Sequence, residues 1–163
     1  MYFAVLLIHS WLRWGVLGLG LATFVRALKA GPVDVGADER RAPTAGKRAK
    51  NPLTTAFVAS FDTQLLIGLI LYVFLSPMTP HSGEQFRAAM KVSMLRFFAV
   101  EHATAMFVAM LLVHGGAVWA RRAPDLRTER RRTAWFAGLS VAIMLIGMPW
   151  PFMAYARPLF RLP

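Results

Sequence analysis

The chain has 163 residues, no cysteine and a formal net charge of +11, and 56% of its residues are hydrophobic. This length fits one domain, and the absence of cysteine excludes disulfide scaffolds, thiolate metal sites and cysteine nucleophiles. The hydrophobic residues are gathered into four long blocks. These blocks predict an all-α integral membrane protein that forms a single domain over residues 1–163.

The four blocks, in chain order, predict helices over residues 3–28, 53–76, 94–120 and 134–155. A bilayer core of about 30 Å is spanned by roughly 20 residues of helix, which rises about 1.5 Å per residue, and every block is long enough. A soluble helical protein would instead show a polar stripe along each helix. We therefore predict four transmembrane helices that pack as an antiparallel bundle.

The positive charge lies between the blocks and is unevenly divided. Residues 26–50 hold seven Lys or Arg residues and residues 121–132 hold six, whereas residues 77–94 hold two. Cytoplasmic loops carry the excess of Lys and Arg, so both termini are predicted to lie outside, with a flexible basic cytoplasmic loop over about residues 29–52. This placement favours contact with the lipid bilayer rather than with nucleic acid.

Ionisable residues inside the predicted helices are candidates for function, because they are costly in hydrocarbon. Counting from the outer ends of their helices places His9 and His102 at one depth, roughly 10–12 Å below the outer edge. Two imidazoles at one depth on facing helices supply the axial ligands of haem b. The pair predicts a haem b near the outer face or, alternatively, a polar contact that joins the helices.

Arg13 and Glu101 lie at the depth of these histidines, and we expect them to form an ion pair. Haem propionates need cations, for which the candidates near the outer side are Arg13, Arg96 and Arg157. Small residues of the first helix, Gly15, Gly18 and Gly20, are expected either to leave room for a macrocycle or to pack helices closely.

A second polar group is predicted nearer to the cytoplasmic side. Asp62 on the second helix and His114 on the third lie at similar depths, so they are expected to pair, with a shared proton or with Asp62 orienting His114. Gln64, two residues after Asp62, is a further candidate for binding a proton or a quinone carbonyl.

Methionines on the third helix give a less favoured alternative. They form a slanted stripe with the two histidines of that helix, and thioethers with imidazoles suit Cu(I), although methionine more often fills irregular cores. The stripe comprises Met90, Met94, Met106 and Met110.

Several segments resemble a family of small bacterial inner-membrane proteins that are labelled cytochrome b-like: LLIHSWLRW, DTQLLIGLILYVFLSP, RFFAVEHATAM and PWPF with the later RPLF. The resemblance covers most of the chain except the two basic loops, and it implies a multi-pass protein of the bacterial inner membrane that binds haem b. The family's motif residues fall on His9, Arg13, Gln64, Glu101, His102, Pro149 and Arg157. Some members carry a histidine at the position of Asp62.

Together these features predict a haem b electron-transfer protein, whose partner is a quinol or a periplasmic electron carrier, rather than a stand-alone enzyme. Two alternatives remain open. One is a non-enzymatic accessory subunit of a larger membrane complex, in which the buried polar groups join helices. The other is a proton or metal permease that uses Asp62, Glu101 and the histidines.

Overall fold

The computed structural model describes residues 1–29 and 51–155 together with Pro158 and Phe160, and this part of the chain is helical without strands. Five helices follow in order: α1 over Tyr2–Lys29, α2 over Pro52–Leu75, α3 over Gly83–Ala89, α4 over Ser93–Arg121 and α5 over Leu126–Ile146. The predicted flexible loop falls almost wholly on residues 30–50, which lie outside the described residues.

Residues at the helix ends account for where α2 and α5 begin. The Asn51 side chain accepts a hydrogen bond from the Leu53 N–H at 3.1 Å, and Pro52 follows at the first position of α2. Asp125 accepts from the Thr128 N–H at 2.7 Å and so starts α5. Such side chains satisfy N–H groups that have no partner within the helix.

Three helices, rather than the predicted four, are long and apolar enough to cross a membrane among the described residues: α1, α2 and α4. The predicted bounds of the fourth helix were wrong, because α5 begins at Leu126 instead of residue 134 and ends at Ile146 instead of residue 155. Residues 126–132 hold four arginines and one glutamate, so only residues 133–146 are apolar, about 21 Å of helix. Gly147 and Pro149 end it early.

The helix contacts define which elements can meet. Helix α5 packs against both α1 and α4, and α1 also packs against α2, whereas contacts between α2 and α4 are sparse. The buried core lies between these helices and includes Val16, Phe57, Phe61, Val113 and Ala137. Because α1 and α4 lie diagonally across the core, a contact between them depends on side chains that reach past α2 and α5.

The outside of the helices is apolar. Large hydrophobic side chains remain exposed on every long helix, among them Phe3, Leu66, Phe107, Trp135 and Ile146. A soluble monomer rarely exposes so much continuous apolar surface. These helices are therefore compatible with lipid contact and with a multi-pass membrane protein.

Two of the long helices contain a π-helical turn, at Leu71–Leu75 in α2 and at Phe97–Glu101 in α4. In such a turn the hydrogen bonds run between residues five apart, and π turns occur frequently at functional sites. The two turns are joined by the Tyr72 hydroxyl, which donates to the Ala99 carbonyl at 2.8 Å. This bond connects α2 to α4 about one helical turn before His102, where direct packing between the two helices is otherwise sparse.

Candidate functional site

His9 and His102 lie close together across the core, as expected for two residues at the same depth. Their ring centres lie 6.4 Å apart, with the ring planes inclined at 75°. The two residues belong to the diagonal helices α1 and α4. We call this the outer histidine pair.

His102 is held by the end of α5. Its Nδ1 lies 2.7 Å from the Gly147 carbonyl oxygen, and since a carbonyl only accepts, Nδ1 carries the proton and donates. Gly147 is the C-cap of α5, where carbonyl groups lack partners within the helix. This bond fixes the ring and leaves the lone pair of Nε2 available to a ligand.

His9 is held by α2. The Gln64 amide nitrogen donates to the backbone carbonyl of His9 at 3.0 Å and lies 3.3 Å from His9 Nε2. An amide nitrogen only donates, so Nε2 accepts and the ring proton belongs to Nδ1. Nδ1 is buried, and no described residue accepts from it. The ring approaches α2 closely because Gly68 has no side chain, and a Cβ there would lie 3.0 Å from His9 Cε1.

The predicted ion pair between Arg13 and Glu101 is not formed. Glu101 pairs instead with Arg96 at 2.9 Å, and both side chains are more than 40% exposed. The π turn explains why Glu101 pairs with Arg96, because it aligns residues five apart on one face of α4. His102, the next residue, points toward the core instead. Arg13 lies over the ring of Trp14 at 5.1 Å.

Of the two other predicted propionate partners, Arg96 is described by the structure and pairs elsewhere. Arg96 is occupied by Glu101 on the exposed face of α4, and Arg157 lies outside the described residues. Gly15 and Gly18 face open space, and Gly20 packs against Phe57 and Val141. Arg13 lies one turn from His9 on α1 and is the described cation that remains a candidate for this site.

Two aromatic residues that follow α5 contact aromatic residues of α4 and α1. Phe97 stacks on Tyr155 with ring centres 4.0 Å apart, and Phe97 also lies 6.0 Å from the His102 ring. Further along, Phe160 stacks on Trp14 at 5.3 Å. Tyr155 and Phe160, which follow α5 in the chain, therefore contact α4 and α1. No spacing signal in the sequence indicated these contacts.

Asp62 and His114 also meet, as their depths predicted. The Asp62 carboxylate lies 3.1 Å from His114 Nε2, and His114 Nδ1 lies 3.1 Å from the Met110 carbonyl oxygen in its own helix. The two side chains are about half exposed, at 50% and 47%. This inner pair therefore joins α2 to α4 at the surface rather than in the core.

Sequence reasoning found the histidines and Gln64 but missed the groups that hold them. Gly147, Gly68 and Tyr72 act through a carbonyl, an absent side chain and a hydroxyl, and none of these has a pattern in the sequence that marks it. Within the described ranges, no three His, Asp or Glu side chains cluster as a metal site would require. The outer pair thus offers two imidazoles to any group bound there.

No family model, curated protein or solved structure shows significant similarity to this chain.

Proposed function

We propose that the chain is a four-span protein of the bacterial inner membrane that binds haem b between His9 and His102 and transfers electrons near the outer face. In this proposal α5 is the fourth span, with both termini outside. Its short apolar part is extended by the apolar residues that follow Ile146, and arginines of its first turns reach the cytoplasmic interface with their long side chains.

The distance between the imidazoles is the observation that supports haem most directly. Metal–imidazole bonds are about 2.0–2.1 Å long, so two rings on opposite sides of one metal have centres roughly 6 Å apart. The observed separation of the ring centres is 6.4 Å. The separation of the ring centres is therefore compatible with one iron bound between the two imidazoles, which supports the proposal.

The two donors fit unequally well. His102 fits as it stands, because the Gly147 carbonyl takes the Nδ1 proton and leaves Nε2 unprotonated, an arrangement common to metal-binding histidines. His9 Nε2 is instead engaged by Gln64. Coordination through that nitrogen requires the Gln64 amide to turn away, and it leaves the buried Nδ1 proton in need of an acceptor.

Each residue has a separate task in this arrangement. Gly147 orients the His102 ring, Gly68 lets His9 reach the core, and Arg13 supplies the nearby positive charge that a propionate needs. The aromatic layer of Phe97 and Tyr155 excludes water from the outer side. Haem, when bound, supplies one-electron chemistry, and a quinol or a periplasmic carrier is the partner that such a protein needs.

A reduced-minus-oxidised visible spectrum of the detergent-purified protein, expressed with haem precursor, tests the proposal. We expect the sharp α-band of six-coordinate haem b. His9→Ala and His102→Ala should each abolish six-coordination, whereas His81→Ala and His114→Ala, which change the other two of the four histidines, should leave the band unchanged. A flat spectrum from folded wild-type protein would exclude haem.

The Gln64–His9 contact favours a second candidate function. Hydrogen bonds between a buried amide and a neighbouring helix are a common way to join membrane helices, and here the amide satisfies Nε2 and the backbone carbonyl together. In this reading the chain is an accessory subunit of a larger membrane complex. It predicts colourless protein that co-purifies with other membrane chains after mild solubilisation.

The permease alternative receives less support from the geometry. Asp62 and Glu101 were its proposed carboxylates, yet both lie on exposed faces and pair with a neighbour there. A transport path needs such groups to line a route through the helices.

A further inference from the structure

A groove runs along the outside of α4 and α5 in the half of the helices that lies away from the outer histidine pair. Its volume is about 530 Å³. Its walls are Leu111 and Trp119 from α4 and Trp135 and Leu139 from α5, and Arg131 lies at one end. All four apolar side chains are about half exposed or more. We call this the α4–α5 groove.

Two adjacent glycines of α4 create the groove. Gly116 faces α5, and a Cβ there would lie 2.2 Å from Phe136 Cβ, so its hydrogen allows the helices to approach closely. Gly115 faces outward into the groove, and an added Cβ would meet nothing within 4 Å. The close approach therefore fixes two helix walls, and Gly115 leaves the floor between them open.

The charge at the groove is confined to its cytoplasmic end. Arg132, the neighbour of Arg131, is engaged elsewhere: it donates to the Trp119 carbonyl at 2.8 Å and lies over the Trp119 ring. These contacts hold Trp119 in place as a wall. No carboxylate in the described part of the chain pairs with Arg131, so its guanidinium is available at the mouth of the groove.

We propose that the α4–α5 groove binds one anionic phospholipid, with an acyl chain along the groove and the phosphate at Arg131. From Leu111 to Trp119 the groove follows α4 for about 12 Å, a length that suits the upper part of an acyl chain. Its charged end lies at the basic cytoplasmic side, where phosphate groups of the inner leaflet are found. The inference is independent of haem and rests on the proposed function only for the orientation of α4 and α5 in the membrane.

The apolar walls of the groove and Arg131 contribute differently to lipid binding. An acyl chain gains little by leaving bulk lipid for the groove, because lipid tails are as apolar as leucine. The shape of the groove therefore decides whether a chain is retained. Arg131 decides which head group is preferred. Each Lys or Arg near an anionic lipid surface strengthens binding to that surface about fivefold.

Native mass spectrometry of the whole protein, after reconstitution with equal amounts of phosphatidylglycerol and phosphatidylcholine, tests the groove. We expect one retained lipid per wild-type chain, with phosphatidylglycerol preferred. Gly115→Leu fills the groove and should reduce the retained lipid at least fivefold. Gly15→Leu is the matched control, because Gly15 on α1 also meets nothing within 4 Å and lies outside the groove.

A second pair of variants tests the head group. Arg131→Gln should lower the preference for phosphatidylglycerol over phosphatidylcholine about fivefold while a lipid is still retained. Arg127→Gln removes an exposed arginine of the same helix outside the groove and should keep the preference. Equal lipid retention in wild type and Gly115→Leu would overturn the proposal, as would a wild-type dimer that Gly115→Leu dissociates, since a second copy would then be the occupant.

Discussion

The outer histidine pair and the inner pair of Asp62 and His114 use similar side chains in different surroundings. The outer rings meet in the core and are held by neutral partners, the Gly147 carbonyl and the Gln64 amide. The inner residues meet at the surface as a carboxylate and an imidazole. Both pairs were expected from the depth of their residues along the helices. The face of the helix on which each residue lies then separates a partly buried imidazole pair from an exposed contact.

This difference shows why depth alone does not define a site in a membrane helix. Adjacent residues of an α-helix point about 100° apart, so His102 turns to the core while Glu101 turns outward. The π turn before His102 also rotates the positions of the following side chains around the helix axis, relative to a regular α-helix. A polar residue therefore has to be assigned both a depth and a face before its partner can be named.

Replacing His102 or His114, the two histidines of α4, with leucine gives the largest expected contrast between the two pairs. In haem-free protein, His102→Leu leaves the buried Gly147 carbonyl without its donor, which costs about 1–3 kcal/mol of unfolding free energy. His114→Leu should cost less, because Asp62 remains half exposed. Unfolding in mixed micelles with increasing SDS measures both, and an equal or larger loss for His114→Leu would contradict the comparison.

Gln64→Leu tests the second partner of the outer pair. It keeps the volume but removes the hydrogen bonds to His9, so we expect a loss of about 0.6–2 kcal/mol in the same unfolding assay. Thr63→Leu is the control, since the exposed Thr63 hydroxyl bonds only within its own helix, and its effect should stay below about 0.5 kcal/mol. No loss for Gln64→Leu would argue against the accessory-subunit reading of this contact.

Removing the whole inner pair should have the smallest effect. With Asp62→Leu and His114→Leu combined, no charge is left unpaired, and an exposed pair of this kind contributes only about 0–1 kcal/mol to stability. We expect the unfolding free energy to stay within about 1 kcal/mol of wild type. A larger loss would show that another chain covers this pair in the purified protein.

The sequence by itself determined the long apolar helices and the depths of their polar residues. Helix ranges for α1, α2 and α4 follow within two residues from block length, because a run of apolar residues without breakers has few other stable forms in lipid. His9 with His102, and Asp62 with His114, follow from a constant rise per residue. The fourth range failed because charged residues such as Arg130 also favour helix, so hydropathy did not mark where α5 begins.

Only the tertiary structure decided which faces meet. The Arg96–Glu101 pair depends on a π turn, and His102 depends on a carbonyl that is free because α5 ends at Gly147. The sequence does not show which backbone groups lack a hydrogen-bond partner within their helix, because this depends on where helices end and how they cross. Burial, partner and exposure are properties of packing between distant segments, and so they could not be obtained from spacing along one helix.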